Sequence, residues 1–138
     1  MRYENWPELL SAKITETRRG AFAWGSRDCV MWSGEVVEAL TGVDPFAEWR
    51  GTYSDEAGAI AILDGLGGLE AAVTALLPVI DPKYAQRGDL VLVDMAEFTG
   101  NPGWPQCVGV CEGEHVIVVG AGQLERIPMA NALVAWEV

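Results

Sequence analysis

The segment Phe22-Ala23-Trp24-Gly25-Ser26-Arg27-Asp28-Cys29, continued by Val30-Met31-Trp32-Ser33-Gly34-Glu35-Val36-Val37-Glu38-Ala39-Leu40, decides how this chain folds. Its first part carries glycine and polar turn residues. Its second part takes up a helical period, with Cys29, Trp32, Val36 and Leu40 on one face. That spacing predicts a mostly buried helix from about Cys29 to Leu40, ended by Thr41-Gly42. Cys29 therefore opens the helix, where unpaired backbone N–H groups and the helix dipole favour a thiolate. A thiol used as a nucleophile also needs a group to take and return its proton, most often an imidazole. The chain has a single histidine, His115, far along the sequence.

Outward from this helix, the N-terminal half reads helical. Asn5 is a candidate N-cap, Pro7 suits a first turn, and Trp6, Leu9, Leu10 and Ile14 recur at helical spacing. Arg18 and Arg19 are expected to close this first helix, with Gly20 as its exit. After a loop through Val43-Asp44-Pro45-Phe46 and Trp49-Arg50-Gly51, Ser54 is expected to cap a third helix, stopped by Gly67-Gly68. A short fourth helix is expected over about Leu69 to Leu77.

The period changes after Gly88-Asp89. Leu90-Val91-Leu92-Val93 is an apolar run of buried-strand type. The glycine- and proline-rich stretch from Glu97 to Pro105 reads as a loop. Cys107 to Cys111 and His115 to Val119 flank Glu112-Gly113-Glu114, which is a hairpin pattern. Two more strands are expected over Gln123 to Ile127 and Leu133 to Val138. Helices followed by an antiparallel sheet make one α+β domain over residues 1–138, with the Cys29 helix packed on the sheet.

Composition narrows the function. A net charge of −11 argues against nucleic acid, whose phosphates need clustered Lys and Arg, and against an anionic membrane surface. No stretch is long and apolar enough to insert in a bilayer, and Met1-Arg2-Tyr3-Glu4-Asn5-Trp6 lacks the apolar run that export requires. The protein is expected to be made in a cytoplasm, and used there or carried out within an assembly. Three cysteines without framework spacing suit a reducing compartment. No cofactor is expected: no Cys/His set has zinc spacing, no carboxylate run reads as a calcium loop, and no phosphate-binding glycine loop is present.

The order of parts resembles the papain-like fold of NlpC-type peptidases, which cut bacterial cell-wall peptides. Asp28-Cys29 matches the pair that opens the family's buried helix, and Gly88-Asp89-Leu90-Val91 matches the start of its sheet. The family's His-Val-Gly strand reads Cys107-Val108-Gly109-Val110 here, so the resemblance puts Cys107 at the position of the general base. The third polar residue would fall near Val118-Val119-Gly120. Phe22-Ala23-Trp24-Gly25, Thr41-Gly42-Val43-Asp44-Pro45, Arg50-Gly51-Thr52-Tyr53, Arg87-Gly88-Asp89 and Ala135-Trp136-Glu137-Val138 are together similar to a small family encoded by tailed phages and prophages near tail-tip genes. That resemblance implies an NlpC-type branch often lacking its histidine, a place in the virion tail, and other tail-tip or hub proteins as partners.

Each candidate has two readings. Cys29 is a nucleophile or its relic, or else a small buried apolar residue, the common fate of free cysteine. Cys107 occupies the base position, where a thiol replaces imidazole poorly, or is a strand residue. Cys107 and Cys111 lie on one face of a strand about 13 Å apart and cannot bridge. Cys29 and Cys107 could, if they face each other. His115 is a displaced base or a hairpin histidine, and Asp28 and Asp89 orient a base or serve turn chemistry. Trp24, Trp32 and Trp136 are expected in the core, while Trp49, Arg50, Tyr53 and Trp104 are candidate interface residues. The expected function is a catalytically degenerate tail-tip or tail-assembly protein. The alternatives are an active cysteine peptidase or amidase, with peptidoglycan as its substrate, and an assembly factor absent from the particle.

Overall fold

The computed structural model describes residues 1–97 and 106–138. Four helices come first: α1 (Trp6–Glu16), α2 (Cys29–Thr41), α3 (Glu56–Gly65) and α4 (Leu69–Thr74). Six strands follow: β1 (Val79–Ile80), β2 (Leu90–Asp94), β3 (Gln106–Cys111), β4 (His115–Val119), β5 (Leu124–Pro128) and β6 (Ala132–Trp136). They form one antiparallel sheet in the order β1-β6-β2-β3-β4-β5. The architecture is α+β, helices first.

Alternation along the strands divides the core in two, because successive side chains point to opposite faces. Leu90, Leu92, Val108, Val110, Ile117 and Trp136 join Met31, Trp32, Val36 and Leu40 of α2 in the larger cluster. Val91, Val93, Val116, Val118 and Ile127 build the second cluster on the other face. The four named α2 side chains are at most 1% exposed. Burying each contributes on the order of 2 kcal/mol, and Trp32→Ala would remove the largest of them. The Trp32 indole N–H also donates to Thr17 Oγ1 at 2.8 Å, so its polar edge is satisfied inside the core.

Several ends differ from the sequence expectation. α1 stops at Glu16. Arg18 and Arg19 leave the helix because they join the sheet side: the Arg18 carbonyl accepts from Leu124 N at 2.8 Å, and Arg19 bridges to Gln123. The cap of α3 is Asp55, whose carboxylate accepts from Gly58 N at 2.7 Å, rather than Ser54. α4 ends at Thr74, three residues early, and the chain then turns into the two-residue β1 beside β6. Most of the loop expected over 97–105, including Trp104, lies outside the described residues.

Candidate functional site

Asp28 is the N-cap of α2, in extended conformation, and its Oδ1 accepts from Met31 N at 2.9 Å. Its other oxygen accepts from Gly25 N at 2.9 Å and from the Tyr53 hydroxyl. The carboxylate is only 3% exposed. These bonds fix the turn from Gly25 to Cys29 and so fix where the first helical residue, Cys29, points.

Gly25 is the hinge of this turn. Its φ of +82° belongs to the left-handed region, and a Cβ there would collide with the Tyr53 carbonyl oxygen. Its own carbonyl accepts from Gly51 N at 3.0 Å. Two backbone bonds hold the same segment to the β4–β5 turn: Gly20 N to Gly122 O and Phe22 N to Ala121 O, both 3.1 Å. On the other side, Arg50 donates to Asp44 Oδ2 at 2.8 and 3.0 Å and to the Met31 carbonyl at 2.8 Å. Phe46 and Trp49 stack at 5.3 Å with their rings 13° apart. Gly34 admits this packing, since a Cβ there would strike Asp44 and Phe46.

These elements surround a cleft of about 590 Å³, within the range of ligand pockets, about 300–1,000 Å³. Aromatic walls come from Phe22, Trp24, Trp49 and Tyr53, and Cys29 and Cys107 both line it. Phe22 and Trp24 meet edge to face at 4.8 Å. Trp24 is half-buried in this wall rather than in the core where the sequence put it, because the Gly25 turn holds it at the surface; Trp32 and Trp136 are in the core, as expected. The charged residues that line the cleft are Asp28, Glu56 and Glu125, all acidic.

Cys107 is the second residue of β3, paired with Val93 of β2. Its thiol has two acceptors within reach, the Cys29 sulfur and the Val108 carbonyl oxygen at 3.4 Å. The hydrogen bond to Cys29 is the main reason that the Cys107 thiol is held well above its ordinary range; burial and then the electrostatic influence of Cys29 and of the Asp28 carboxylate add to it. The Tyr53 hydroxyl is pushed far up as well, by burial first and then by its bond to Asp28 and that carboxylate's charge. Cys29 and Cys107 are half-buried free thiols, whereas Cys111 is fully buried with its sulfur toward the Gly113 carbonyl.

His115 lies elsewhere. It opens β4 beside the Glu112-to-Glu114 hairpin and pairs with Pro128 of β5, while the cleft touches Val119 and Gly120 at the opposite end of that strand. The interval is about 13 Å or more at the usual rise per residue. Asp89 is also remote: it binds Arg2 at 2.7 Å and accepts from Gln86 N and Val138 N, tying strand β2 to both ends of the described chain. Of the interface candidates, Arg50 is engaged with Asp44, Tyr53 with Asp28, and Trp49 with Phe46. The Tyr53–Asp28 bond spans 25 residues and had no local signal beyond the rule that a buried tyrosine hydroxyl needs a partner. Among the described residues, no group of three or more His, Cys, Asp or Glu side chains could hold a metal ion. No helix among them is long and apolar enough to cross a membrane.

Fold and site together define an α+β protein with an open cleft, headed by a helix-terminal thiol beside a second thiol. Residues 1–138 match the family described as a domain of unknown function (DUF6950), and the chain belongs to that family. No curated protein and no solved structure matches the chain.

Proposed function

We propose that this is a catalytically degenerate papain-like domain of NlpC type, serving as a structural component of a phage tail tip or its assembly and held by neighbouring tail-tip or hub proteins. One observation carries the degenerate reading. The group set against Cys29 is the Cys107 thiol, and that thiol keeps its own proton. A general base must be basic enough to take a proton near the working pH and be free of its own proton there; a thiol that holds its proton meets neither condition, since its neutral sulfur is only very weakly basic. His115, at the far end of β4, does not substitute for it. The tail role rests on the sequence resemblance, and the net charge of −11 suits a basic protein neighbour.

The test has two arms. Cys29→Ala in the phage or prophage should leave particle assembly and infectivity unchanged, and the protein should be found in purified particles. Release of cell-wall peptides by the isolated protein, abolished by Cys29→Ala, would overturn the degenerate reading. It would establish instead the cysteine peptidase, which the half-exposed Cys29 at a helix N-terminus favours. Absence from particles that nevertheless need the gene would move the role to an assembly factor.

A further inference from the structure

We propose that Cys29 and Cys107 form a reversible dithiol–disulfide site, oxidised by hydroperoxides that enter the cleft. The inference stands apart from the tail-tip reading and holds in any setting for the domain. Both residues line the same open cleft, at the first position of α2 and near the start of β3, close enough for their thiols to interact. Neither is committed to another bridge. The remaining cysteine is no competitor: Cys111 is 0% exposed, four residues further along β3, and absent from the cleft lining. A bridge between the two sulfurs requires that two protons and two electrons leave, and the hydroperoxide is the acceptor of both.

The roles of the two sulfurs follow from their places. Cys29 stands at the helix N-terminus, where a negative sulfur is favoured, and is the attacking thiol. Its deprotonated sulfur displaces at one peroxide oxygen. The O–O bond breaks, the leaving hydroxide takes up a proton as water, and Cys29 becomes a sulfenic acid. The Cys107 sulfur then attacks the Cys29 sulfur; an S–S bond forms, the S–O bond breaks, and the hydroxyl departs as water with the Cys107 proton. Two thiols lose two electrons in all, and one hydroperoxide is reduced to two waters, or to a water and an alcohol. Cys107, on β3 in the same cleft and away from any helix N-terminus, is the resolving thiol. The bridge would tie the start of α2 to β3 across one wall of the cleft.

The experiment uses the full chain, fully reduced, treated with hydrogen peroxide, then alkylated natively and again after unfolding. The expected product is a monomer that has lost two hydrogens, with Cys29–Cys107 as the sole bridge by peptide mapping, only Cys111 alkylated, and full recovery with dithiothreitol. Cys107→Ser, with its fold checked by circular dichroism, should accumulate a Cys29 sulfenic acid trapped by dimedone. Cys29→Ser should leave Cys107 reduced under the same dose. The proposal is overturned if wild-type Cys29 proceeds to sulfinic or sulfonic acid with Cys107 still alkylatable. It is equally overturned if the bridge involves Cys111 or a second chain, or if neither thiol reacts before unfolding.

Discussion

Two buried carboxylates, Asp28 and Asp89, each 3% exposed, hold opposite ends of this molecule and are satisfied in different ways. Asp89 has a cation: Arg2 sits 2.7 Å from Oδ1, and backbone N–H groups of Gln86 and Val138 supply the rest. Asp28 has none among the described residues; it is held by two backbone N–H groups and the Tyr53 hydroxyl. Asp89 acts mainly as a fastening, because its push on the Cys111 thiol is opposed by Arg2 and Arg87. Among the described residues the charge of Asp28 is met by dipoles, and it acts on its surroundings, helping to keep protons on both Tyr53 and Cys107. The difference separates a carboxylate that stabilises the fold from one that also sets the chemistry of the cleft.

The largest effect should come from the fastening. Asp89→Ala leaves the Arg2 charge, 12% exposed, without its partner, and removal of one member of a buried pair costs about 3–5 kcal/mol. The urea midpoint should fall accordingly, with no change in the reactivity of Cys29. A loss no greater than that of the matching change at Asp28 would break the comparison.

On the cleft side, Gly25→Ala should cost about 2–4 kcal/mol, combining a left-handed non-glycine residue with a collision against the Tyr53 backbone. Thermal unfolding measures the loss, and quenching at Trp24 and Trp49 reports whether the cleft walls separate. Asp28→Asn keeps the shape and removes the charge. Its amide NH2 cannot accept from Gly25 N, so the stability cost should be about 1–3 kcal/mol, below that of Asp89→Ala, while the Cys107 thiol and the Tyr53 phenol should both titrate lower than in the parent chain. A stability loss equal to that of Asp89→Ala with unmoved titrations would make Asp28 a second fastening.

Alkaline pH sharpens the same contrast. Tyr53 and Cys107 hold their protons in the folded chain above the ordinary values of 10.0 and 9.0. Well below pH 9.0 both states are protonated and these groups contribute no slope; the slope sets in as pH approaches 9.0, where the unfolded thiol begins to titrate. Above it, the unfolded chain binds fewer protons than the folded one, so stability falls as pH rises. Tyr53→Phe combined with Cys107→Ser should flatten this fall, leaving the part due to Cys111, whose thiol burial also pushes up. An unchanged slope in the double variant would remove both groups from the linkage.

What the sequence made legible was what is encoded locally. The period of Cys29, Trp32, Val36 and Leu40 predicted α2 to within a residue of its end, and the Leu90 run and the Gly113 hairpin predicted β2, β3 and β4. Turn chemistry is one of the two readings that the sequence leaves for Asp28 and Asp89, and each does accept from backbone N–H groups three residues away. Their deciding partners were out of reach: Tyr53 lies 25 residues from Asp28, and Arg2 lies 87 from Asp89. β1 is two residues long and exists only because β6 offers an edge, so no alternation could announce it. Ser54 and Asp55 are both good caps, and the helix took the carboxylate, which also meets the positive end of the helix dipole. The Cys29–Cys107 contact was legible only through the family resemblance, because spacing alone does not say which strand crosses the head of a helix.

The smallest effect is expected at His115, where a null result carries information. The side chain is half-buried at the hairpin end of β4, and among the described residues that strand meets the cleft only at Val119, its other end. His115→Gln keeps a polar group of similar size and should change stability by less than about 0.5 kcal/mol, as surface changes away from special features do. Alkylation of Cys29 across pH should be superimposable on that of the parent chain. If the variant instead slows Cys29 alkylation tenfold, His115 communicates with the cleft. The base would then not be lost from this domain but relocated, and the contrast between a fastening end and a reactive end would have to include the hairpin on the reactive side.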